Sequence, residues 1–455
     1  MASDAKGPPP VSQQWLRRDH TVVWHGFTQM AHYDEHAPVV VERAEGHELI
    51  DVDGHRYLDA ISSLWVNTLG HRVPELDAAL RAQLDKVAHS TMLGNTNEVV
   101  VQLAEALARE VPVDDPHFLF ASDGAAAVEQ ALKIAFQYWA NKGEAQRSGY
   151  LALGHAYHGD TVGSLSLGDG GFGTSLFDSL RFPVVRTPGY DDPAWKDKAI
   201  AALDSHAGEL AAVVIEPLVQ GAAGMLVAEP HDVGAFGHVA QEVGVLVVAD
   251  EVATGFGRTG RLFASQWCGL RPDLLCLGKG ITGGYLPMSV TVAAGHVYDA
   301  FYGDEPLAFF HGHSYGGNAL ASAVALEHLR LLEQRRVLEN VAARAEQLSR
   351  LLDARVAGQG AVRAVRQRGL MVGVELVPWP GRRRGRAVCA AAVRRGVLLR
   401  PLGDVVVLMP PLTITADEIE RIVAVLAASL DDAGEDSPHD AEAAASPHDR
   451  QRSAR

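Results

Sequence analysis

Lys279 stands between Gly278 and Gly280, directly after the apolar run Leu274-Leu-Cys-Leu277. An amine held at the mouth of a buried strand is partly desolvated, which lowers its pKa and makes it a nucleophile. Read alone, the same residue is equally a loop lysine with its head in water. A second apolar run, Val245–Ala249, ends in Asp250-Glu251, and acids at a strand mouth are costly without a cationic partner. A third, Phe118–Ala121, runs into Ser122-Asp123-Gly124-Ala125 and then a helical pattern. Such a turn offers a phosphate free backbone N–H groups and the positive end of a helix dipole, although simple helix capping by Ser122 or Asp123 explains the same letters. Together, a phosphate cradle, a carboxylate and an amine able to bond an aldehyde carbon are the three anchors that pyridoxal 5′-phosphate needs.

One motif points to a different chemistry. Gly255-Phe-Gly257-Arg-Thr-Gly260 matches the dinucleotide fingerprint letter for letter. That fingerprint should follow a strand directly and open a helix, yet Glu251–Thr254 intervene and a loop-like RLFASQW follows. No acid stands at a second strand end some 20 residues on. A nicotinamide oxidoreductase is therefore the remote alternative.

Ligands of open parallel sheets bind beyond the C-terminal strand edge, so these groups need a sheet that brings three strand ends together. The runs at 118–121, 150–153, 211–215, 245–249 and 274–277 are almost wholly apolar, as parallel strands covered on both faces require. Amphipathic stretches lie between them; in Ala125–Trp139, Val128, Leu132, Ala135 and Trp139 recur at helical spacing. The fold class is α/β, with a large domain built on a mainly parallel sheet and a smaller α+β domain drawn from both chain ends. Residues 38–60 predict antiparallel strands with an Asp53-Gly54 turn, and strands are expected at 371–376 and 397–409. A last helix starts with the capping box Thr415-Ala-Asp-Glu418 and carries Ile419, Ile422, Val423, Leu426 and Leu430 on one face. The boundaries are a disordered tail at 1–14, the small domain at 15–65 and 335–431, the large domain at 66–334, and a disordered tail at 432–455 that contains SPHD twice.

Of the 455 residues, 47% are hydrophobic and 21% charged, which is globular composition. A formal net charge of −16 argues against a nucleic-acid partner. No apolar stretch approaches the ~18 residues of a membrane span, and MASDAKGPPPVSQQ has no apolar core of a signal peptide. Three cysteines without framework or metal spacing suggest a reducing compartment, so the expectation is a cytoplasmic protein with no bound metal. The run Arg382-Arg-Arg384 reads as a solvated loop.

The stretch VVADEVATGFGRTGRLFASQW at 247–267 with RPDLLCLGKGITGG at 271–284 resembles the pyridoxal-phosphate signature of class III aminotransferases, which have fold type I. Further segments resemble the 7,8-diaminopelargonic acid synthase family of biotin biosynthesis: WHGFTQM at 24–30, LDAISSLWVNTLGH at 58–71, ALKIAFQYW at 131–139, YHGDT at 157–161, IEPLVQGAAGM at 215–225, FFHGHSYGGN at 309–318 and RPLGDVVVLMPP at 400–411. The similarity spans roughly residues 15–430.

The resemblance implies an aminotransferase acting on 8-amino-7-oxononanoate to give 7,8-diaminononanoate. It makes Lys279 the covalent anchor and proton carrier, and Asp250 the partner of the cofactor's ring nitrogen. Gly124 and Ala125 match the phosphate-binding pair, with Ala125 lacking the hydroxyl of the family's usual Ser. Tyr157 would lie against the ring, and Arg400 would clamp the acceptor's carboxylate. Gly312, His313 and Ser314 resemble a segment that reaches the neighbouring subunit's cofactor phosphate, implying a homodimer with shared active sites. Two departures fall in the substrate pocket: Trp24-His25-Gly26-Phe27 replaces the usual W-H-P-Y, and Leu64-Trp65 replaces a tryptophan pair. The family's usual donor is S-adenosyl-L-methionine, while the departures and FFHGHSY favour the branch that uses L-lysine. Another class III enzyme, acting on an ω-amine, is the same-class alternative.

Overall fold

The computed structural model describes residues 10–34, 38–169, 171–379 and 383–435, with the side chains of 171–174 and 433–435 left aside. The first three strands are antiparallel: β1 (Val41–Glu45), β2 (Glu48–Asp51) and β3 (Arg56–Asp59). Next come β4 (His117–Ala121), β5 (Gly149–Leu153), β6 (Val185–Thr187) and β7 (Leu210–Ile215). A two-strand hairpin, β8 (Val219–Gln220) and β9 (Leu226–Val227), precedes β10 (Leu246–Asp250), β11 (Leu274–Leu277) and β12 (Ser289–Ala293). The last strands are β13 (Val362–Arg368), β14 (Met371–Leu376), β15 (Val397–Leu398), β16 (Arg400–Leu402) and β17 (Val405–Leu408).

The central sheet has seven strands in the order β4-β12-β11-β10-β7-β5-β6. β10 pairs in parallel with β7 and β11, whereas β12 is antiparallel to both β11 and β4. The sheet is thus mainly parallel with one reversed strand. That reversal lets the chain leave β11, form the turn that carries Lys279 and re-enter the sheet beside it. β7, β10, β11 and β12 are buried at every position, because helices cover both faces.

The helix Gly124–Asn141 packs on β11 and β12 through a face that includes Ala127, Val128, Ala131, Leu132 and Ala135. Its start is set by Asp123, whose Oδ1 accepts the N–H of Ala126 at 2.9 Å. β1, β2 and β3 join β15 from the far end of the chain, and a separate antiparallel sheet runs β13-β14-β17-β16. The final helix, Ala416–Glu435, forms its capping box, with Thr415 N donating to Glu418 Oε2 at 2.8 Å and Glu418 N to Thr415 Oγ1 at 3.3 Å. Ile419, Ile422, Val423, Leu426 and Leu430 are all buried.

Composition is a poor guide at the ends. A helix, Val11–Val22, begins inside the stretch 1–14 that reads as a tail; it buries no residue, so no apolar stripe announces it. The last helix extends through 432–435, past the expected boundary at 431, because a capped amphipathic helix propagates beyond its last core residue. Arg384 opens the helix Arg384–Arg394 and stacks over Trp379 at 5.2 Å, instead of lying in a loop, while Arg382 falls outside the described residues. Residues 1–9 and 436–455 of the expected tails, with the two SPHD segments, also lie outside them. No helix among the described residues is long and apolar enough to cross a membrane.

Candidate active site

Asp250 ends β10, Lys279 follows β11 and Gly124 follows β4, all at one edge of the sheet. They share a cavity of about 460 Å³ with Trp65, Tyr157, His158, Asp160 and Glu216. That volume lies within the usual range for a cofactor-sized ligand.

Lys279 adopts φ +40°, a left-handed conformation that is costly for a residue with a side chain. Its amine lies 5.4 Å from the centre of the Trp65 ring and makes no hydrogen bond among the described residues. Burial lowers its pKa, while Asp250 and Glu216 partly oppose the shift. The result is an amine held ready for covalent chemistry rather than locked in an ion pair.

Asp250 is buried, with Oδ2 2.7 Å from Nδ1 of His158 and Oδ1 accepting the N–H of Val252 at 3.0 Å. The hydrogen-bonding partner that its position demands is therefore His158, whose buried Nε2 has no partner among the described residues. Glu216 is buried too, and its carboxylate accepts from Tyr157 N and Gly221 N, both at 3.1 Å. Burial, with a contribution from the Asp250 charge, pushes its pKa up to about 7. His158 and Glu216 escape a reading of the residues alone, because nothing in a sequence says which polar side chains end up buried; their places inside the segments YHGDT and IEPLVQGAAGM are the available signal.

Tyr157 lines the cavity, and its hydroxyl donates to Asp160 Oδ2 at 3.0 Å. Burial first, then the Asp160 charge, raises its pKa and keeps the phenol protonated. Gly124 has no room for a side chain, since a Cβ there would meet Val252 Cγ1 at 2.5 Å. It and Ala125 form the first turn of their helix, where backbone N–H groups have no partner within the helix. The donor set fits pyridoxal 5′-phosphate: N–H groups for a phosphate, a fixed acid for a pyridine nitrogen, and an unbonded amine.

Other expected residues lie elsewhere. Trp65 is buried and lines the cavity, but Leu64 beside it is 45% exposed and Phe27 66% exposed, and neither lines the cavity of this chain. Arg400, on β16, is half-buried; its backbone pairs with Val407, its guanidinium makes no hydrogen bond or ion pair among the described residues, and it lies outside the lining. Gly312 and Ser314 are exposed, and His313 Nδ1 sits 3.5 Å from Ser122 Oγ of its own chain. The acid next to Asp250, Glu251, accepts from Ala264 N at 2.5 Å and Ser265 N at 2.7 Å and so ties down the following loop. Within the glycine motif, Arg258 is buried and donates to Pro410 O at 2.7 Å and Asn67 O at 2.8 Å. Only a short helix, Ser265–Cys268, follows, so the segment is a loop wrapped around a buried arginine and not a dinucleotide site.

Comparison with known proteins agrees with this geometry. A protein of Nitratidesulfovibrio vulgaris named adenosylmethionine-8-amino-7-oxononanoate aminotransferase is 45% identical, over 91% of this chain and 82% of its own. One of the same name from Anoxybacillus flavithermus is 41% identical, over 91% and 95%. The crystal structure of the Methanocaldococcus jannaschii enzyme of that name superposes with a TM-score of 0.88 at 35% identity, covering 92% of this chain and 99% of its own. An (S)-enantioselective omega-transaminase from Thermomicrobium roseum also reaches 0.88, at 32% identity, over 94% and 100%. The family model described as aminotransferase class-III matches residues 29–430, and with it the edge that gathers Gly124, Asp250 and Lys279 has its explanation: the chain belongs to the class III aminotransferases.

Proposed function

We propose that this chain transfers an amino group from S-adenosyl-L-methionine to 8-amino-7-oxononanoate, giving 7,8-diaminononanoate for biotin synthesis. What supports this most is the name shared by relatives from eight organisms, the first of them 45% identical over 91% of the chain. Fold similarity alone does not choose the substrate, since an omega-transaminase superposes equally well.

Bound pyridoxal 5′-phosphate supplies an aldehyde and an electron-withdrawing ring. The N–H groups of Gly124 and Ala125 would hold its phosphate. Asp250, aimed by His158, would hold a proton on the ring nitrogen. Lys279 would anchor the aldehyde carbon and, once displaced by a substrate amine, carry a proton between substrate and cofactor carbons. Tyr157 and Trp65 would wall the cavity, and the guanidinium of Arg400, unpaired among the described residues, would meet the acceptor's carboxylate.

The reading includes a homodimer in which Gly312, His313 and Ser314 serve the neighbouring subunit's site. Exposed Trp24, Phe27, Phe310 and Tyr315 support it, as large apolar groups that a second copy would cover. It also includes a cytoplasmic location, which suits three buried cysteines that form no disulfide.

The test is a donor comparison. Loaded enzyme is mixed with 8-amino-7-oxononanoate and, separately, adenosylmethionine, L-lysine or a simple ω-amine, and the diamine is measured by mass spectrometry. Product with adenosylmethionine alone is expected. Product with lysine alone replaces the donor. No diamine with any donor, together with turnover of an ω-amine and pyruvate, overturns the assignment.

A further inference from the structure

The turn that carries Trp65 into the site is held in a conformation its own residues disfavour. Ser62, Ser63 and Trp65 have φ of 52°, 59° and 65°, left-handed values for three non-glycine residues within four positions. Such strain persists only where the surroundings over-determine it, and it clusters at ligand sites. Here the surroundings can be named. Asp59, fully buried, accepts the N–H of Ser63 with both carboxylate oxygens, at 2.8 and 3.0 Å. Its Oδ2 also lies 3.0 Å from His71 Nε2. His71 Nδ1 lies 3.0 Å from Asn67 Nδ2, and the Asn67 carbonyl accepts from Arg258 at 2.8 Å. Arg258 reaches Ser62 Oγ at 3.3 Å, which closes a ring of hydrogen bonds around residues 59–71. At the far end of the turn, Trp65 lines the cavity 5.4 Å from the amine of Lys279.

We propose that Asp59 is a positioning residue that holds the strained turn Ser62–Trp65 so that Trp65 forms the cavity wall against which the keto acceptor binds. The clamp stands on geometry alone; its effect on acceptor binding rests on the proposed function. A buried carboxylate that takes the Ser63 N–H in a bifurcated bond, the Ile61 N–H at 3.4 Å and an imidazole at 3.0 Å fixes the orientation of those peptides, so losing it frees the turn to relax to right-handed or extended conformations. The wall then moves while Lys279, Asp250 and Gly124, carried on separate strand ends, stay in place.

The experiment measures amide hydrogen exchange and steady-state kinetics on the holoenzyme. In Asp59→Ala, peptides covering residues 61–66 should exchange about tenfold faster while β10 is unchanged, as expected of local opening. KM for 8-amino-7-oxononanoate should rise by about tenfold, with kcat within about threefold, the pattern of lost binding rather than lost chemistry. In a Trp65→Ala background the same substitution should change KM by less than about twofold, because residues acting through one another are not additive. Asp59→Asn keeps one acceptor for Ser63 and should give intermediate exchange; it decides the matter if the alanine variant does not fold. Unchanged exchange at 61–66, or equal KM losses in both Trp65 backgrounds, overturns the proposal. Wild-type enzyme that turns over an ω-amine but never 8-amino-7-oxononanoate overturns the proposed function instead, and the exchange result still judges Asp59.

Discussion

His158 Nδ1 lies 2.7 Å from Asp250 Oδ2, and both side chains are buried beside the cavity that holds Lys279. Among the described residues, a carboxylate in that setting would otherwise rest on one hydrogen bond, from Val252 N at 3.0 Å. The imidazole therefore aims the acid and offsets the cost of burying it.

His158→Phe removes that partner. A hydrogen bond to a charged group is worth about 1.5–3 kcal/mol, so kcat should fall roughly 10- to 100-fold, while the anchors at Gly124 and Lys279 keep the cofactor bound. Kinetics together with the visible spectrum of the purified variant check this. A kcat equal to wild type removes His158 from the role.

Asp250→Asn keeps the shape and loses the charge that would hold a ring proton. The rate should drop far more than cofactor occupancy, which is read by releasing and counting the bound cofactor. An unchanged kcat, or an apo protein, contradicts the assignment.

Arg400→Ala should weaken the acceptor by about 1.5–3 kcal/mol in kcat/KM, the scale of a bidentate charge-assisted pair. The comparison uses acceptor analogues with and without the terminal carboxylate. Equal losses for both mean that the guanidinium, unpaired among the described residues, does not clamp it.

Acid should act through His328, which is fully buried with Nε2 2.6 Å from Thr68 Oγ1. Burial lowers its pKa from 6.5 to about 3, with the Arg258 charge adding to the effect. Between those values the unfolded chain binds a proton that the folded chain refuses, so this contribution to stability is full above pH 6.5 and is lost as pH falls toward 3. His328→Gln should therefore lose less Tm than wild type between pH 7.5 and 4.5. Parallel losses in the two proteins count against the buried imidazole as the cause.

The sheet is legible because strands covered on both faces must be apolar throughout, as Leu210–Ile215 and Leu274–Leu277 are. β13, VRAVRQR, is not, since its arginines find partners only in the fold: Arg363 and Arg366 both pair with Glu375 on β14. The three groups at the sheet edge were legible as glycine-flanked or strand-terminal polar residues. His158 and Glu216 were not, because the loop that sets His158 on Asp250 and Tyr157 N on Glu216, and the one that holds Gly221, are tertiary facts. Nor was the turn at Ser62–Trp65, whose left-handed residues carry side chains that ordinarily avoid such angles.

The central claim is that Lys279 is the covalent anchor of the site. Borohydride reduction of the yellow holoenzyme, followed by proteolysis and mass spectrometry, tests it directly. The account predicts the added cofactor mass on the peptide that contains Lys279, and neither label nor transamination in Lys279→Ala, whose rate should fall by at least about a thousandfold, within the range general base catalysis alone can supply. Label on another lysine, or a Lys279→Ala enzyme that still transaminates above that level, would contradict it.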